Sequence, residues 1–590
     1  MNIFTKKVPK NISLSNTALI IGFVFCFCWI MNGLADNTMA NRLLGFCGLQ
    51  IILLFPIIKK RKAIVLNNKL LIASLGSLFC IQAISLAYSI NVNRGIYELQ
   101  NTLLLINSFL ITRYYYNPKT IPIFRSILYA ICIAYLSYAL LQFLQINAWD
   151  KQTLYNITSL NGHKNLFSSF CILLIGALCL IDKKRDQPRI ATPLLIFLLF
   201  AAVFLTQTRA TILGIGLGAT IVCAIHGLRN APQQYRSVWS LAITICIIAG
   251  IICLTQTSLF LNQLNAESSI ERLLIWENTF SLANKHAWMG IGAGNWPIVF
   301  PSAGLPDIIR VHSDNIIFQK VHNEFLQIYA ELGVFGLCSY CILAFSFIRM
   351  SIHHFRSNPN RYHSIFLLCA IAYGANVFFS FPNSRAAHLM ILGLLLGIMA
   401  KESDSKKISN IHLGRQAIGV LLALTFVSFT VSTFRIRGEA GTKTLLSERK
   451  SKSWENVARL SRSTENIFYD LDNTSIPIAW YAGMAHFQLG NKDAALEAFK
   501  KAYELNPYNH HVLNNYALTI AKSNPALAEK LLTSAITINP QFDSGRGNLV
   551  RILMKNGNLE AAEDQIGKLK DTTLQVRLTH ILEEFKTQNK

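Results

Sequence analysis

The sequence predicts an all-α protein in which about thirteen transmembrane helices are followed by a soluble domain of α-helical repeats. Its 590 residues are 52% hydrophobic and only 15% charged, with a mean hydropathy of +0.36, outside the averages of soluble proteins. Apolar stretches long enough to cross a bilayer recur through residues 1–434. Residues 435–590 are polar and nearly balanced in charge, with 21 basic and 17 acidic side chains. The chain is therefore expected to divide at 434/435 into a polytopic membrane domain and a soluble tail.

The apolar stretches define the expected transmembrane helices. The thirteen predicted spans lie at about 15–34, 42–58, 69–90, 98–113, 121–145, 165–181, 190–206, 210–228, 237–256, 323–348, 363–381, 387–400 and 416–434. The fourth is the least secure, because Glu98 and Gln100 lie at its start. The first follows three lysines, as the apolar part of a signal peptide would, but it is longer than such a segment and is interpreted as an anchor.

The positions of the basic residues predict the orientation. The net charge of +24 comes mostly from short loops of the membrane part, which argues against a nucleic-acid-binding protein. The alternate loops that hold these residues contain Lys59 to Lys62, Lys183 to Arg185, Arg229 with Arg236, Arg349 with Arg356 and Arg361, and Lys401 with Lys406 and Lys407. Because basic loops stay in the cytoplasm, the N-terminus is expected there, in the inner membrane of a bacterium. The long loop 257–322 and the tail 435–590 are then expected in the periplasm.

A repeated spacing of small and aromatic residues predicts the fold of the tail. It matches a tetratricopeptide repeat at Ala482, Gly483, Ala495, Phe499, Ala502 and Pro507. The last part of the pattern returns at Ala528, Leu532, Ala535 and Pro540, and a degenerate third copy begins around Ala561. Such repeats stack into a shared core and leave a concave face that usually binds a protein segment. The tail is expected to bind a protein partner, with a mere cap or spacer as the alternative.

The cysteines indicate neither a disulfide framework nor a metal centre. All thirteen lie between Cys26 and Cys369, inside apolar stretches. Cys338 and Cys341 form a CxxC, but no histidine or aspartate lies close to them in the sequence, so buried packing is the expected role. No metal site and no cofactor are predicted.

Polar and charged residues collect at the outer ends of the predicted spans, where lipid does not solvate them. The groups are Asn161-Gly162-His163-Lys164-Asn165, Thr206-Gln207-Thr208-Arg209, Arg272 with Trp276, and Gly290-Ile291-Gly292-Ala293-Gly294-Asn295-Trp296. The GxGxG of the last group follows no predicted strand, so a dinucleotide-binding turn is not expected. It is interpreted as a flexible loop whose backbone approaches a ligand closely.

The most informative pattern runs from Val321 to Gly333. Asn323, Gln327 and Glu331 are spaced by four residues and are predicted to form a polar stripe on one face of the tenth span. His322 lies at the expected water boundary, where an imidazole can take up or release a proton. A structural role is the alternative for a single histidine at this depth, but the neighbouring carboxylate and the arginines favour catalysis.

The stretch VHNEFLQIYAELGVFGL resembles the signature of the O-antigen ligase/polymerase superfamily, which includes bacterial protein O-oligosaccharyltransferases. Four further segments resemble that family in the same order along the chain: GHKN, TQTRAT, ERLLIWENTF and GIGAGNW. Together they cover about residues 160–345. Each segment alone is loose, whereas five in order are specific.

The resemblance implies a membrane glycosyltransferase that moves a glycan from a polyprenyl pyrophosphate, usually undecaprenyl pyrophosphate, to an acceptor hydroxyl on the periplasmic face. Arg209 and Arg272 are expected to hold the diphosphate, because a guanidinium binds phosphate with two parallel hydrogen bonds. His322 is expected to act as the general base or to orient the hydroxyl. The expected substrate-binding residues are Lys164, Asn165, Trp276, Gly292, Gly294, Asn323, Gln327 and Glu331. The outer loops of the membrane part, within residues 1–434, contain no DxD, so transfer without a metal ion is expected.

Several alternatives stay open at this stage. The acceptor is a lipid A-core sugar in a ligase, the end of another lipid-linked chain in an O-antigen or exopolysaccharide polymerase, or a protein Ser/Thr. The repeats favour a protein acceptor or partner, and the tail is expected to select it without taking part in transfer. A polysaccharide-lipid transporter is a different class, but the polar residues gather on one face of the membrane. A membrane scaffold would explain neither His322 nor the arginines.

Overall fold

The protein is α-helical throughout almost all of the chain that the computed structural model describes. The described residues are 14–588 apart from 33, 35, 37, 61–62, 146–156, 183–189, 231–266, 305–317, 358–359 and 403–410. The helices of the membrane part are α1 (Leu14–Cys28), α2 (Ala40–Lys59), α3 (Lys69–Ser85), α4 (Val92–Tyr115), α5 (Ile121–Gln145), α6 (Lys164–Asp182), α7 (Ala191–Leu205), α8 (Arg209–Asn230), α9 (Glu267–Lys285), α10 (Glu324–Ser357), α11 (Arg361–Phe379), α12 (Ala386–Glu402) and α13 (Arg415–Lys450).

The helices confirm a polytopic membrane fold. Twelve of the thirteen predicted spans coincide with described helices, and the span predicted at 237–256 lies outside the described residues. Among the described helices, seven are long and apolar enough to cross a bilayer, namely α2, α5, α6, α8, α10, α11 and α13, and α1, α3 and α7 contain shorter apolar helices. The total of thirteen spans stays a prediction.

Two helices lie at the centre of the membrane part. In α6, 94% of the most apolar window is buried, and every residue of α12 from Ala386 to Ala400 is buried. The neighbours surround them: α4 packs along α12, and α11 packs along both α6 and α8. Helices nearer the outside expose large apolar side chains such as Phe55, Phe197 and Val420, as expected for surfaces that contact lipid.

One short sheet joins two loops at one end of this helical bundle. β1 (Ile64–Leu66), which follows α2, pairs antiparallel with β2 (Ile411–Leu413), which precedes α13. The partners are Ile64 with Leu413, Val65 with His412 and Leu66 with Ile411. The pairing places both loops on the same side of the bundle, as the predicted topology requires.

The tenth span is interrupted near its outer end. α10 contains a non-helical residue, Gly333, with φ 65° and ψ −164°, so a short helical segment ending at Leu332 precedes a longer one. Asn323 lies just before α10, where its side-chain oxygen accepts a hydrogen bond from the backbone N–H of Leu326 at 3.0 Å. Asn323, Gln327 and Glu331 therefore all belong to the short first segment, with Asn323 at its start, and the helix breaks two residues after Glu331.

α13 extends from the membrane part directly into the tail. It has 36 residues, which at 1.5 Å per residue gives about 54 Å, well beyond the hydrocarbon thickness of about 30 Å. The predicted boundary at 434/435 lies inside this helix. Beyond it, Gly438 packs against Tyr469 of the tail, and Leu445 belongs to the first hydrophobic cluster of the tail.

The tail consists of stacked helix pairs, as the repeats predict. After α14 (Trp454–Thr464), the pairs are α15 (Ile478–Gln488) with α16 (Lys492–Leu505), α17 (His510–Ile520) with α18 (Pro525–Ile538), and α19 (Asp543–Lys555) with α20 (Leu559–Gly567), followed by α21 (Thr572–Gln588). The repeat residues form the core between them: Ala495, Phe499, Ala502, Ala528, Leu532 and Ala535 are all buried. Gly483 lies against the Phe499 ring, which explains the small residue at that position.

Candidate active site

His322 lies in a short non-helical segment, residues 318–322, between the long loop and α10. Its backbone has φ 60°, a conformation that non-glycine residues seldom adopt and that often marks a functional position. Its ring contacts Phe381 edge to face, with 5.0 Å between the ring centroids. The Nδ1 atom is buried and has no hydrogen-bond partner among the described residues. An unpaired polar atom of this kind is rare in protein interiors and is typical of sites that receive a ligand.

Neighbouring groups hold this segment in place. The indole Nε1 of Trp276, in α9, donates a hydrogen bond to the carbonyl oxygen of Val321 at 2.9 Å. Lys320 forms an ion pair with Glu98 of α4, with 2.9 Å between Nζ and Oε1. The two residues that precede His322 are thus held in place.

Arg272 and His163 lie close enough to His322 to affect its protonation. Burial is the largest cause of the lowered pKa of His322, about 3, and Arg272 and His163 contribute to it. Burial and the neighbouring Arg209 lower the pKa of the Arg272 guanidinium. At neutral pH the imidazole is therefore uncharged, with one nitrogen able to accept a proton.

His163 lies near the same arginine. Desolvation is the largest cause of the lowered pKa of His163, about 4, and the positive charges of Arg385, Lys164 and Arg272 contribute to it, although part of its ring reaches the surface. The backbone N–H of Asn165 donates a hydrogen bond to His163 Nδ1 at 3.2 Å. Residues 163–165, Arg209 and Arg272, which are far apart in sequence, thus lie near one another, and their roles in substrate binding stay predictions.

A polar cavity of about 340 Å³ opens beside His322. Among the predicted substrate-binding residues, Gly294, Gln327 and Glu331 line it. Gln327 donates a hydrogen bond to Glu331 at 3.1 Å, so these two side chains keep the predicted four-residue relation. Lys164, Arg209 and Arg272 do not line this cavity; of the three, Arg272 contributes positive potential at His322.

The glycine-rich turn packs against the break in α10. The backbone N–H groups of Ile291 and Gly292 donate to the carbonyl oxygens of Ala330 and Glu331 at 3.0 and 2.9 Å, and Gly294 N–H donates to the Glu331 carboxylate at 2.9 Å. A side chain on Gly292 would overlap Ser89, and one on Gly294 would overlap the Arg94 backbone. The backbone of this turn was expected to approach a ligand closely, but these contacts are made with other parts of the protein. Gly294 also lies at the cavity wall, and its contact with a substrate stays a prediction.

Sequence analysis missed several residues of the cavity wall. They are Asp36, Arg94, Glu98, Lys320, Arg385, Arg435, Glu439 and Asn473. Asp36 and Arg385 form an ion pair at 2.7 Å, between loops that are 349 residues apart. Glu98 did give a signal, because it made the fourth span unusually polar. The others come together only through the fold.

A second, smaller space of about 100 Å³ adjoins this cavity and shares Glu98, Lys320 and Glu331 with it. Glu324 also lines this second space. Its carboxylate accepts hydrogen bonds from Tyr340 and from the backbone and side-chain nitrogens of Asn383, the last two at 2.7 Å. With its oxygens occupied in this way, Glu324 ties α10 to the loop that holds Phe381. Within the described part of the chain, no group of three or more His, Cys, Asp or Glu side chains is placed to hold a metal ion.

The arrangement has the elements of an anion-binding transfer site. A neutral imidazole lies between a cluster of cations and a polar cavity. Cations that crowd together favour a polyanionic ligand such as a diphosphate, because each lowers the free energy of the anion. The cavity on the other side offers room for a second, neutral substrate.

Comparison with known proteins agrees with this chemistry. Residues 194–341, which contain Arg209, Arg272 and His322, match the O-antigen ligase family, and residues 478–509 match the tetratricopeptide repeat. The "ComP-specific O-oligosaccharyltransferase" of Acinetobacter baylyi is 22% identical over 286 residues, which cover 47% of this chain and 50% of that relative. The chain thus matches about half the length of this curated relative. The chain contains a segment that matches the O-antigen ligase family and a C-terminal segment that matches the tetratricopeptide repeat, and seven of its described helices are long and apolar enough to cross a membrane.

Proposed function

We propose that this protein transfers a glycan from a polyprenyl-pyrophosphate carrier to an acceptor hydroxyl on the periplasmic face of the bacterial inner membrane. The observation that carries the proposal is His322, a buried and uncharged imidazole with an unpaired nitrogen next to Arg272. A base that must accept a proton from a hydroxyl needs that protonation state. The family match over residues 194–341 supports the same reaction type.

The diphosphate of the donor binds the cations. Arg209 and Arg272 provide guanidinium groups that match phosphate oxygens, and Lys164 adds a third charge. Arg272 lies close enough to Arg209 for the two charges to repel each other, and a bound diphosphate relieves that repulsion. The same charges stabilise the diphosphate when it leaves.

The reaction is a substitution at the anomeric carbon of the glycan. The acceptor oxygen forms the new bond to that carbon, and the bond between the carbon and the phosphate oxygen breaks. His322 takes the proton of the acceptor hydroxyl, and polyprenyl pyrophosphate leaves with the electron pair of the broken bond. The site needs no metal ion for this step, since the arginines supply the positive charge.

The remaining predicted residues position the substrates. Gln327 and Glu331 line the cavity and hydrogen bond to each other, and Glu331 also fixes the turn that carries Gly294. Trp276 and Asn323 act on the backbone on either side of His322. In this arrangement the cavity receives the acceptor, and the cationic side receives the donor.

We propose a protein as the acceptor. The relative from Acinetobacter baylyi is a "ComP-specific O-oligosaccharyltransferase", and the repeat tail of this protein provides a surface for protein binding. A lipid A-core ligase and a polymerase differ only in the acceptor.

A deletion strain distinguishes these acceptors. Surface glycans and glycoproteins are profiled by mass spectrometry and lipopolysaccharide gels in the deletion strain, with and without the full chain restored. The proposal predicts the loss of a protein-linked glycan that returns on complementation. Loss of lipopolysaccharide O-chains alone would identify a ligase, shortened chains would identify a polymerase, and no glycan change at all would contradict the proposed function.

A further inference from the structure

One of the contacts between the tail and the membrane part is made by a turn, residues 470–476, which we call the docking turn. Asp472 shapes it: one carboxylate oxygen accepts the backbone N–H groups of Thr474 and Ile476 at 2.8 and 2.9 Å, and the other accepts the Tyr481 hydroxyl at 2.8 Å. Asn506 donates a further hydrogen bond to the Ser475 carbonyl oxygen at 2.9 Å. All of these hydrogen bonds join residues of the tail, so the tail itself fixes the conformation of the turn.

The docking turn binds the outer end of α4. The Asp470 carboxylate accepts hydrogen bonds from Asn91 at 3.1 Å and Asn93 at 2.8 Å. Arg94 donates to the Asp472 carbonyl oxygen and to the Ser475 hydroxyl, both at 2.9 Å. Arg94 also lines the cavity beside His322, so part of the cavity wall is held by the tail.

Ser475 connects the tail to the segment that carries His322. Its hydroxyl donates to Gln319 Oε1 at 3.1 Å while accepting from Arg94. Gln319 also lines the cavity, and it lies three residues before His322. The ion pair of Lys320 with Glu98 fixes the next residue. A hydroxyl that both donates and accepts in this way bridges the tail, α4 and the catalytic segment.

The outer extension of α13 forms a second part of the wall. Arg435 and Glu439 line the cavity, pair with each other at 3.0 Å, and are almost completely buried. The Arg435 guanidinium lies 4.1 Å from the centre of the Tyr97 ring of α4. Asn473 of the docking turn also lines the cavity. Three cavity residues therefore lie beyond the boundary expected at 434/435.

We infer that the docking turn and the outer extension of α13 form a wall of the reaction cavity, and that Ser475 is a positioning residue for the segment carrying His322. The inference rests on the proposed function for its catalytic part. It departs from the expectation that the tail only selects a partner.

A double-mutant cycle tests the inference on the full-length protein in lipid nanodiscs. The variants are Ser475→Ala, Gln319→Ala and the double variant, with Ser463→Ala as the matched control, since Ser463 is exposed and bonds only within its own helix end among the described residues. The donor is undecaprenyl-pyrophosphate-linked glycan extracted from the native cells, and the acceptor is membrane protein of the deletion strain. Amide hydrogen exchange of residues 318–322 is measured in parallel.

Ser475→Ala is expected to speed amide exchange in 318–322 and to lower kcat roughly tenfold, because small displacements of catalytic groups have effects of this order or larger. The donor KM should stay within twofold. The double variant should be no slower than the slower single variant, because both substitutions break the same bond. In Ser475→Ala, the acid limb of the kcat profile should also lie at higher pH than in the wild type, because a loosened segment 318–322 exposes His322 to water.

Ser463→Ala should match the wild type in every measurement. Wild-type exchange and wild-type kcat in Ser475→Ala would overturn the inference, and so would fully additive losses in the double variant. If the wild-type protein transfers no glycan at all, the proposed function fails. Exchange of 318–322 then still decides whether the docking turn holds this segment.

Discussion

At the scale of single residues, the surroundings of His322 determine the protonation state of its imidazole. Burial is the largest cause of its lowered pKa, about 3, and the neighbouring Arg272 and His163 add to it. A free imidazole with that pKa is a weak base. A diphosphate on the neighbouring cations would offset their charge and raise the pKa of His322, so that the donor prepares the base for the second substrate.

This coupling predicts a difference between two pH profiles. The imidazole of His322 is uncharged above its lowered pKa. The free enzyme should therefore show no loss of kcat/KM for the donor from His322 protonation between pH 5 and 8. With donor bound, the acid limb of kcat should lie at higher pH than that of kcat/KM. Steady-state rates between pH 4 and 9 measure both. An acid limb of kcat/KM between pH 6 and 7, as for an exposed histidine, would contradict the buried site.

The two arginines should not tolerate lysine. Arg209→Lys and Arg272→Lys keep the charge but lose the planar pair of donors, so kcat/KM should fall roughly 10- to 100-fold, the effect of losing one charge-assisted hydrogen bond of about 1.5–3 kcal/mol. Arg551→Lys, at an exposed position of the tail, should have no effect. The assay is donor turnover with purified protein. Wild-type rates for both site variants would contradict a role for the planar guanidinium geometry, and would show that positive charge alone is sufficient.

At the scale of elements, the break in α10 explains what the sequence pattern missed. The spacing of Gln327 and Glu331 correctly placed them on one face, because a four-residue relation is local to a helix. The break at Gly333 depends instead on a distant partner, the loop of α9: Val334 N–H donates to the Ala287 carbonyl oxygen at 2.8 Å. Nothing in the tenth span alone specifies that loop, so the span at 323–348 was predicted without a break.

Gly333 should be essential for the fold at this point. It has a positive φ of 65°, and an added methyl group would overlap the Trp288 carbonyl oxygen. Gly333→Ala should therefore lower stability by more than the 1–2 kcal/mol or so of a left-handed alanine. Thermal unfolding in detergent should show a lower Tm together with lost activity.

Gly374→Ala is the matched control for that substitution. Gly374 lies in α11, and a methyl group there meets no heavy atom of the described residues within 4 Å. Its Tm should equal or slightly exceed that of the wild type, since alanine favours helix. Equal behaviour of the two variants would show that the break is not needed.

At the scale of the whole molecule, local sequence patterns predicted the two domains, whereas the contacts between the domains could not be predicted from such patterns. Hydropathy located twelve described helices, and repeat spacing located the helix pairs of the tail. The tail's position over the cavity depends on pairs such as Asn93 with Asp470, which are 377 residues apart. Polar residues of that type occur at many positions of the sequence, so no periodicity distinguishes them. The same holds for Asp36 with Arg385.

The charge of the loops predicts the orientation of the whole protein. Reporter fusions after residues 62, 185 or 405 should give cytoplasmic activity, and fusions after 300 or 440 should give periplasmic activity. The pairing of β1 with β2 already requires that the loops around residues 64 and 412 share one side. Alkaline phosphatase and green fluorescent protein fusions report the two sides. A cytoplasmic signal at 440 would remove the thirteen-span topology and the periplasmic location of the tail.

The most direct test of the central claim is donor turnover by purified His322→Ala. The full-length variant is reconstituted in nanodiscs with undecaprenyl-pyrophosphate-linked glycan extracted from the native cells, and release of undecaprenyl pyrophosphate is followed with membrane protein of the deletion strain as acceptor. His353→Ala, an exposed histidine on α10, is the matched control. We expect His322→Ala to fold with a Tm near that of the wild type and to lose transfer entirely, while His353→Ala keeps it. Transfer by His322→Ala at the wild-type rate would contradict the assignment of His322 as the catalytic base.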